Sequence, residues 1–215
     1  MIKYFFSIIT LIAFYSCSTS FNNGFTNGNS EKLNQRNISQ LNGTYEIFAS
    51  GKYNENGRFT AVSTNKKKYS FYNKIENKLP NMKVKDLGDI GNILKNPPID
   101  SIPSLTSNYE AFEVKIKPDG YLTFNFLKND QIATSLTYKG NIKDGFIYLP
   151  KEKNCTKIYS SKNCVISQRR IGLAEDGSII LQESNKVDAS SQTTSVLLSL
   201  FEGNGENAYK YKKIN

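Results

Sequence analysis

The sequence predicts an all-β fold in which an antiparallel meander forms a barrel or a sandwich, accompanied by one short helix. Three observations support this prediction. Apolar and polar residues alternate with period two from Ala111 to Leu149, and Gly, Asn, Asp and Pro interrupt the alternation at short intervals. The same pattern recurs before and after this region. A sustained helical spacing of apolar residues occurs in one segment only.

The predicted strands are short and number eight or more, which favours a barrel or a sandwich over an α/β fold. Turn signals such as Pro118-Asp119-Gly120 separate them. In chain order, the predicted strands are Gly43–Ala49, a stretch that includes Tyr69–Tyr72, the meander strands around Phe112–Ile116, Leu122–Phe126, Ile132–Tyr138 and Phe146–Leu149, and then Val165–Leu173, Ser178–Gln182 and Tyr209–Ile214.

The segment with helical spacing is Lys83–Lys95, where apolar residues recur every three or four positions. Pro97-Pro98 ends any helix at this point, because proline lacks the backbone donor that a helix interior needs. We expect a short helix that lies across the sheet or closes one end of it. Ser195–Phe201 fits a buried strand or a short helix equally well.

The first residues of the sequence predict an export signal. Lys3 precedes an almost wholly apolar run, Tyr4–Tyr15, whose helical length of roughly 20 Å is well short of the ~30 Å hydrocarbon core of a bilayer. A cleavable signal fits this length better than a permanent membrane span. The run ends in Phe14-Tyr15-Ser16-Cys17, which resembles the bacterial lipobox, although Phe14 and Tyr15 stand where that motif usually has an aliphatic and a small residue.

This resemblance implies a signal peptide over residues 1–16 and a diacylglyceryl thioether on Cys17 that attaches the chain to a membrane. An ordinary secretory signal is the alternative. Ser18 stands where lipoproteins retained at the inner membrane often have Asp, so the resemblance implies an outer-membrane address. No acidic cluster follows Cys17, which favours the periplasmic face and leaves exposure at the cell surface as the alternative.

Composition divides the rest of the chain. Residues 17–37 are rich in Asn, Ser and Gly and predict a flexible, lipidated tether, because so few apolar groups cannot offset the entropy of ordering the chain. Residues 38–215 are long enough for a single β domain with a sizeable core.

The formal charge of +9 comes from positive residues that are dispersed along the chain. A solvated basic surface explains this charge, and contact with anionic lipid is the alternative. Export argues against nucleic acid as a partner.

The chain has no His, which excludes the Ser-His-Asp and Cys-His arrangements as well as imidazole metal sites. Beyond Cys17 only Cys155 and Cys164 remain, so we expect neither a metal nor a cofactor. In an oxidising envelope these two cysteines predict a disulfide across a hairpin, with free thiols or a redox pair as alternatives.

Gly43-Thr44-Tyr45 resembles the Gly-x-Trp motif that opens the lipocalin and related calycin barrels, with Tyr in place of Trp. The resemblance implies an interior pocket for a small apolar ligand. It transfers no functional residue, because it spans three positions only.

Two functional hypotheses follow. The first is a non-enzymatic envelope lipoprotein whose β domain binds a small hydrophobic ligand or an envelope partner protein. The second is a glycan-acting hydrolase on a β-sandwich, in which Glu113 and either Glu46 or Glu110 act as paired carboxylates. The residues that would bind a ligand are not identifiable from the sequence.

Overall fold

The computed structural model describes residues 21–26, 28–63, 69–76, 108–158, 161–189 and 205–214. The predicted export signal with Cys17, the predicted helix Lys83–Lys95 and the ambiguous segment Ser195–Phe201 lie outside these residues. Within them the chain is all-β with one short helix, which confirms the predicted fold class. No helix in these ranges is both long enough and apolar enough to cross a membrane.

The elements alternate short strands with tight turns. The strands are β1 (Gly43–Glu46), β2 (Gly51–Tyr53), β3 (Phe59–Ala61), β4 (Ala111–Ile116), β5 (Tyr121–Lys128), β6 (Gln131–Lys139), β7 (Asn141–Lys143), β8 (Phe146–Tyr148), β9 (Glu152–Ile158), β10 (Ser161–Leu173), β11 (Ile179–Ala189) and β12 (Gly205–Tyr211). The helix is α1 (Phe71–Glu76), and 3-10 turns span Asn23–Thr26 and Ile38–Leu41.

The strands form two antiparallel sheets. The smaller sheet has the order β1-β4-β5-β6, and the larger has the order β3-β2-β12-β11-β10-β8-β7 with β9 also paired to β10. The sheets are joined along one side, where Glu46 donates its N–H to Lys212 and Ile214 donates to Thr44. They do not close into a barrel, so the sandwich is the alternative that the structure adopts.

The predicted meander is confirmed as a series of antiparallel strands, but it divides between the two sheets. β4, β5 and β6 belong to the smaller sheet, while β7 and β8 pair within the larger one. The chain crosses between the sheets at Gly140, where a Cβ atom would lie 2.5 Å from side-chain carbons of both Ile147 and Leu122. The absence of a side chain therefore permits the close approach of the sheets at this corner.

The core between the sheets is filled by aromatic rings. Phe71 stacks on Phe112 with 3.9 Å between ring centroids and meets Tyr211 edge-on at 5.0 Å. Tyr45 stacks on Phe112 at 5.4 Å, and its hydroxyl donates to the Leu41 carbonyl over 2.9 Å. These buried rings fill the space between the two sheets.

The strand predicted around Tyr69–Tyr72 is wrong, because α1 begins at Phe71. Aromatic residues are enriched in strands, and this preference led to the incorrect prediction. Phe71, Tyr72 and Ile75 are all buried, a spacing that places them on one face of a helix. Packing against the core therefore outweighs the local preference.

Residues 21–26 and 28–33, here called the N-terminal strap, pack on the larger sheet, although the sequence predicts a flexible tether there. The strap begins on the outer face of this sheet and ends at the core between the sheets. Phe25 is buried in a second, smaller core with Tyr53 and Ile180. Leu33 is 3 % exposed in the main core. The segment is ordered despite its polar composition because a few widely spaced apolar residues, such as Phe25 and Leu33, are buried against the sheet.

Candidate functional site

A half-open groove lies at one end of the sandwich and is here called the end groove. Its walls come from three separate segments: the β4–β5 turn, the 3-10 turn Ile38–Leu41, and the crossing at Gly140 with β7. Its volume is about 560 Å³, which falls within the range of small-molecule sites. No local sequence pattern indicates this groove, because its residues converge only when the sheets pack.

The end groove has an apolar floor and a polar rim. Ile38, Ile116 and Ile142 are partly buried and pack against the main core, with Ile147 and Leu122 behind them. The exposed rim carries Gln35, Ser39, Lys117 and Asp119. An apolar chain lying on the floor would be removed from water on one side, while Lys117 could pair with an anionic end.

The second candidate feature is a set of charges inside the sandwich, here called the ion cluster: Lys74, Glu152, Arg169, Glu183 and Tyr209. Lys74 Nζ lies 2.9 Å from Glu183 Oε1, and the Tyr209 hydroxyl donates to the same oxygen over 3.2 Å. Burial lowers the pKa of Lys74, but Glu183 and Tyr209 outweigh it and the net shift is upward. The ammonium therefore stays charged near neutral pH and serves as an ion-pair partner.

Arg169 completes the ion cluster from the neighbouring strand. It is 1 % exposed, and its Nη1 lies 3.2 Å from Glu152 Oε2. Its Cα is paired with that of Glu183 across β10 and β11, so both side chains enter the interior on the same face. Arg169 Nε has no hydrogen-bond partner among the described residues. Opposite charges thus lie close together in the cluster, as burial requires.

The carboxylates considered for a hydrolase lie outside the core. Glu113 accepts a 2.9 Å hydrogen bond from Asn125 and lies 2.9 Å from Lys115 Nζ; the Asn125 bond is the main cause of its lowered pKa. Glu46 is exposed on the adjacent strand, and Glu110 accepts the Asn129 N–H over 3.1 Å. A lowered pKa keeps Glu113 ionised, whereas a general acid needs a raised one.

The disulfide prediction is confirmed. Cys155 and Cys164 lie directly opposite each other on β9 and β10 and are bonded, with their Cα atoms 4.0 Å apart. The bridge closes the hairpin that the sequence predicts. No group of three or more potential metal ligands occurs within the described ranges.

β6 forms an edge of the smaller sheet. It pairs with β5 along one side, and no described strand pairs with its other side. Residues 131–138 contain no charged side chain, and Ile132 is 55 % exposed. An uncharged edge of this length is a surface to which another strand can add. The alternation in the sequence predicts the strand but not its position at an edge.

Comparison of the chain with family models, curated proteins and solved structures gives no match.

Proposed function

We propose that this chain is a non-catalytic lipoprotein, anchored to the bacterial outer membrane through Cys17, whose β domain binds a small amphipathic ligand in the end groove. The observation that carries the ligand proposal is the apolar floor of the groove at the junction of the two sheets. The lipid anchor rests on the resemblance of Phe14-Tyr15-Ser16-Cys17 to the lipobox.

The apolar floor and polar rim of the end groove favour an amphipathic ligand such as a fatty acid. The groove is half open, so a ligand keeps one side in water and its polar end can stay solvated. Each buried methylene contributes about 0.8 kcal/mol, so a chain of several carbons against Ile116 and Ile142 gives measurable binding. Lys117 at the rim favours a carboxylate or phosphate end.

Ligand binding is tested by displacing an environment-sensitive apolar dye with a long-chain fatty acid, using the purified mature protein. Ile142→Asp places a charge on the groove floor and is expected to weaken binding at least tenfold. Ile132→Asp adds the same charge at an exposed position away from the groove and serves as the matched control. Equal affinities for the two variants would exclude the groove as the binding site.

The anchor is tested by Cys17→Ser, which is expected to move the protein from the membrane fraction to the soluble fraction. Unchanged membrane association of this variant would contradict the anchor. Protease treatment of intact cells separates the two faces of the outer membrane: protection supports the periplasmic face, and digestion supports the cell surface.

A second candidate function, binding of an envelope partner protein, is favoured by the β6 edge. The exposed Ile132 and the uncharged run around it fit the addition of a partner strand. A photo-reactive residue in place of Ile132 is expected to give one defined adduct in living cells. The control is the same residue in place of Thr123, which is paired with Thr137 within the sheet. Identical products at both positions would remove this candidate.

A further inference from the structure

The N-terminal strap is held on the outer face of the larger sheet by a buried arginine. The Arg170 side chain is 1 % exposed, and three of its nitrogens donate hydrogen bonds: Nε to Gln182 over 2.8 Å, Nη1 to the Tyr148 hydroxyl over 3.0 Å, and Nη2 to the Asn23 side chain over 2.9 Å. One of its three acceptors therefore belongs to the strap. The hydrogen bond from Nη2 therefore forms only when the strap is in place.

Aromatic rings enclose the same guanidinium. The ring centroid of Phe146 lies 4.0 Å from the central carbon of Arg170, and that of Phe21 lies 4.6 Å away. Phe21 also meets Tyr148 edge-on at 5.6 Å. The first described residue of the chain is therefore packed between a cation and a ring of the sheet.

Backbone contacts hold the strap next to Phe21. The Asn22 N–H donates to the Glu206 carboxylate over 2.8 Å, and Gln182 donates to the Asn22 carbonyl over 3.0 Å. Gln182 and Glu206 also contact each other. The strap is thus attached to the domain from residues 21 and 22 onward. The sequence predicts that the domain begins at residue 38.

This attachment shortens the connection between Cys17 and the domain. Only Ser18, Thr19 and Ser20 separate Cys17 from Phe21, and four residue steps span at most about 14 Å. A domain of this length is about 40 Å across. A connection shorter than the radius of the domain does not allow the domain to turn freely above the membrane.

The outer face near the attachment point carries exposed lysines. Along β10, Gln168 and Ile166 follow Arg170 on the same face. Ile166 lies opposite Lys153 on β9 and opposite Lys186 on β11, and both lysines are exposed. A half-buried isoleucine flanked by two lysines suits a surface of phosphate headgroups above acyl chains.

We propose that the outer face of the larger sheet is the face that the domain presents to the lipid headgroups, with the N-terminal strap holding it in that orientation. The proposal rests on the lipid at Cys17. It replaces a mobile domain on a long tether with a domain of fixed orientation. It also leaves the outer face of the smaller sheet turned away from the membrane.

The orientation is tested with the lipidated full-length mature protein in vesicles of phosphatidylethanolamine and phosphatidylglycerol. A fluorophore is attached at Gln168→Cys on the proposed membrane face or at Thr137→Cys on the exposed outer face of the smaller sheet. Lipids with a spin-labelled headgroup are expected to quench the first label at least threefold more than the second. Equal quenching would overturn the proposal. A protein that fails to float with the vesicles would instead contradict the lipid anchor.

Weakening the strap separates its role from that of the lipid. Asn23→Ala with Phe21→Ser removes two contacts to Arg170 without changing the buried arginine itself. The quenching of the two labels is expected to converge while flotation with vesicles is retained. Asn56→Ala, in the exposed β2–β3 turn, is the control and should keep the difference. If the double variant keeps the full difference and its native circular dichroism, the strap does not orient the domain.

Discussion

Replacing Lys74 by Met tests whether the ion cluster acts as a buried pair. Glu183 is 7 % exposed, and its partner Lys74 has a side chain that is 20 % exposed. Among the described residues, loss of the ammonium leaves the carboxylate with a neutral donor, the Tyr209 hydroxyl 3.2 Å away. Removing one member of a buried pair costs about 3 kcal/mol, because the other charge is left without compensation.

The reverse change is milder. Glu183→Gln keeps an acceptor for Tyr209 and for the Lys74 ammonium, so we expect a loss of about 1 kcal/mol. The double variant removes both charges and is expected to lose no more than about 1 kcal/mol. The two single losses therefore should not add, and the difference measures the interaction between Lys74 and Glu183.

Urea denaturation followed by near-ultraviolet circular dichroism measures these changes. With a slope of about 2 kcal/mol per M, the loss expected for Lys74→Met lowers the midpoint by about 1.5 M. The raised pKa of Lys74 means that the pair stabilises the fold below the ordinary lysine pKa and that this stability is lost as the pH rises through the raised value. If the Lys74→Met loss is below about 0.5 kcal/mol, or if the single losses simply add, the pair is not coupled as the structure indicates.

Two further predictions concern the disulfide and the loss of stability at acidic pH. Reduction of Cys155–Cys164, which are nine residues apart, is expected to lower the free energy of unfolding by about 2.6 kcal/mol in the chain-entropy model. Unchanged urea midpoints with and without reductant would contradict it. The lowered pKa of Glu113 contributes stability above its ordinary pKa of 4.5 that is lost as the pH falls through the lower folded value. Glu113→Gln should therefore flatten the fall in thermal midpoint between about pH 5 and pH 3, and an unchanged slope would show that Asn125 and Lys115 do not stabilise the charged form.

Local patterns predicted most of the strands because apolar and polar residues alternate along a strand that has one buried face and one exposed face. Val165–Leu173 falls within β10, and the predicted strand Ser178–Gln182 lies in β11 from Ile179 onward. Tyr209 and Tyr211 are buried on one side of β12, as the pattern predicts. The strand predicted at Phe71 is wrong because a short aromatic segment fits the strand period and the helix period equally well. Packing against Phe112 selects the helix.

The candidate sites could not be predicted from the sequence in the same way as the strands. The end groove joins residues as far apart as Ile38 and Ile142, and the ion cluster joins Lys74 to Glu183 across more than a hundred positions. Neither arrangement leaves a local pattern. Arg170 also looks like an ordinary member of a basic pair in the sequence, although it is the anchor of the N-terminal strap.

The amino-acid sequence alone predicts antiparallel strands, excludes the chemistry of histidine, and leaves Cys155 and Cys164 as the pair available for a bridge. Each of these follows from residue type or from spacing over a few positions. The packing of the sheets was needed to show that the meander divides at Gly140 and that residues 21–26 and 28–33 lie on the larger sheet. The alternation of apolar and polar residues along a strand specifies which of its sides is buried. The surface that covers that side comes from distant parts of the chain.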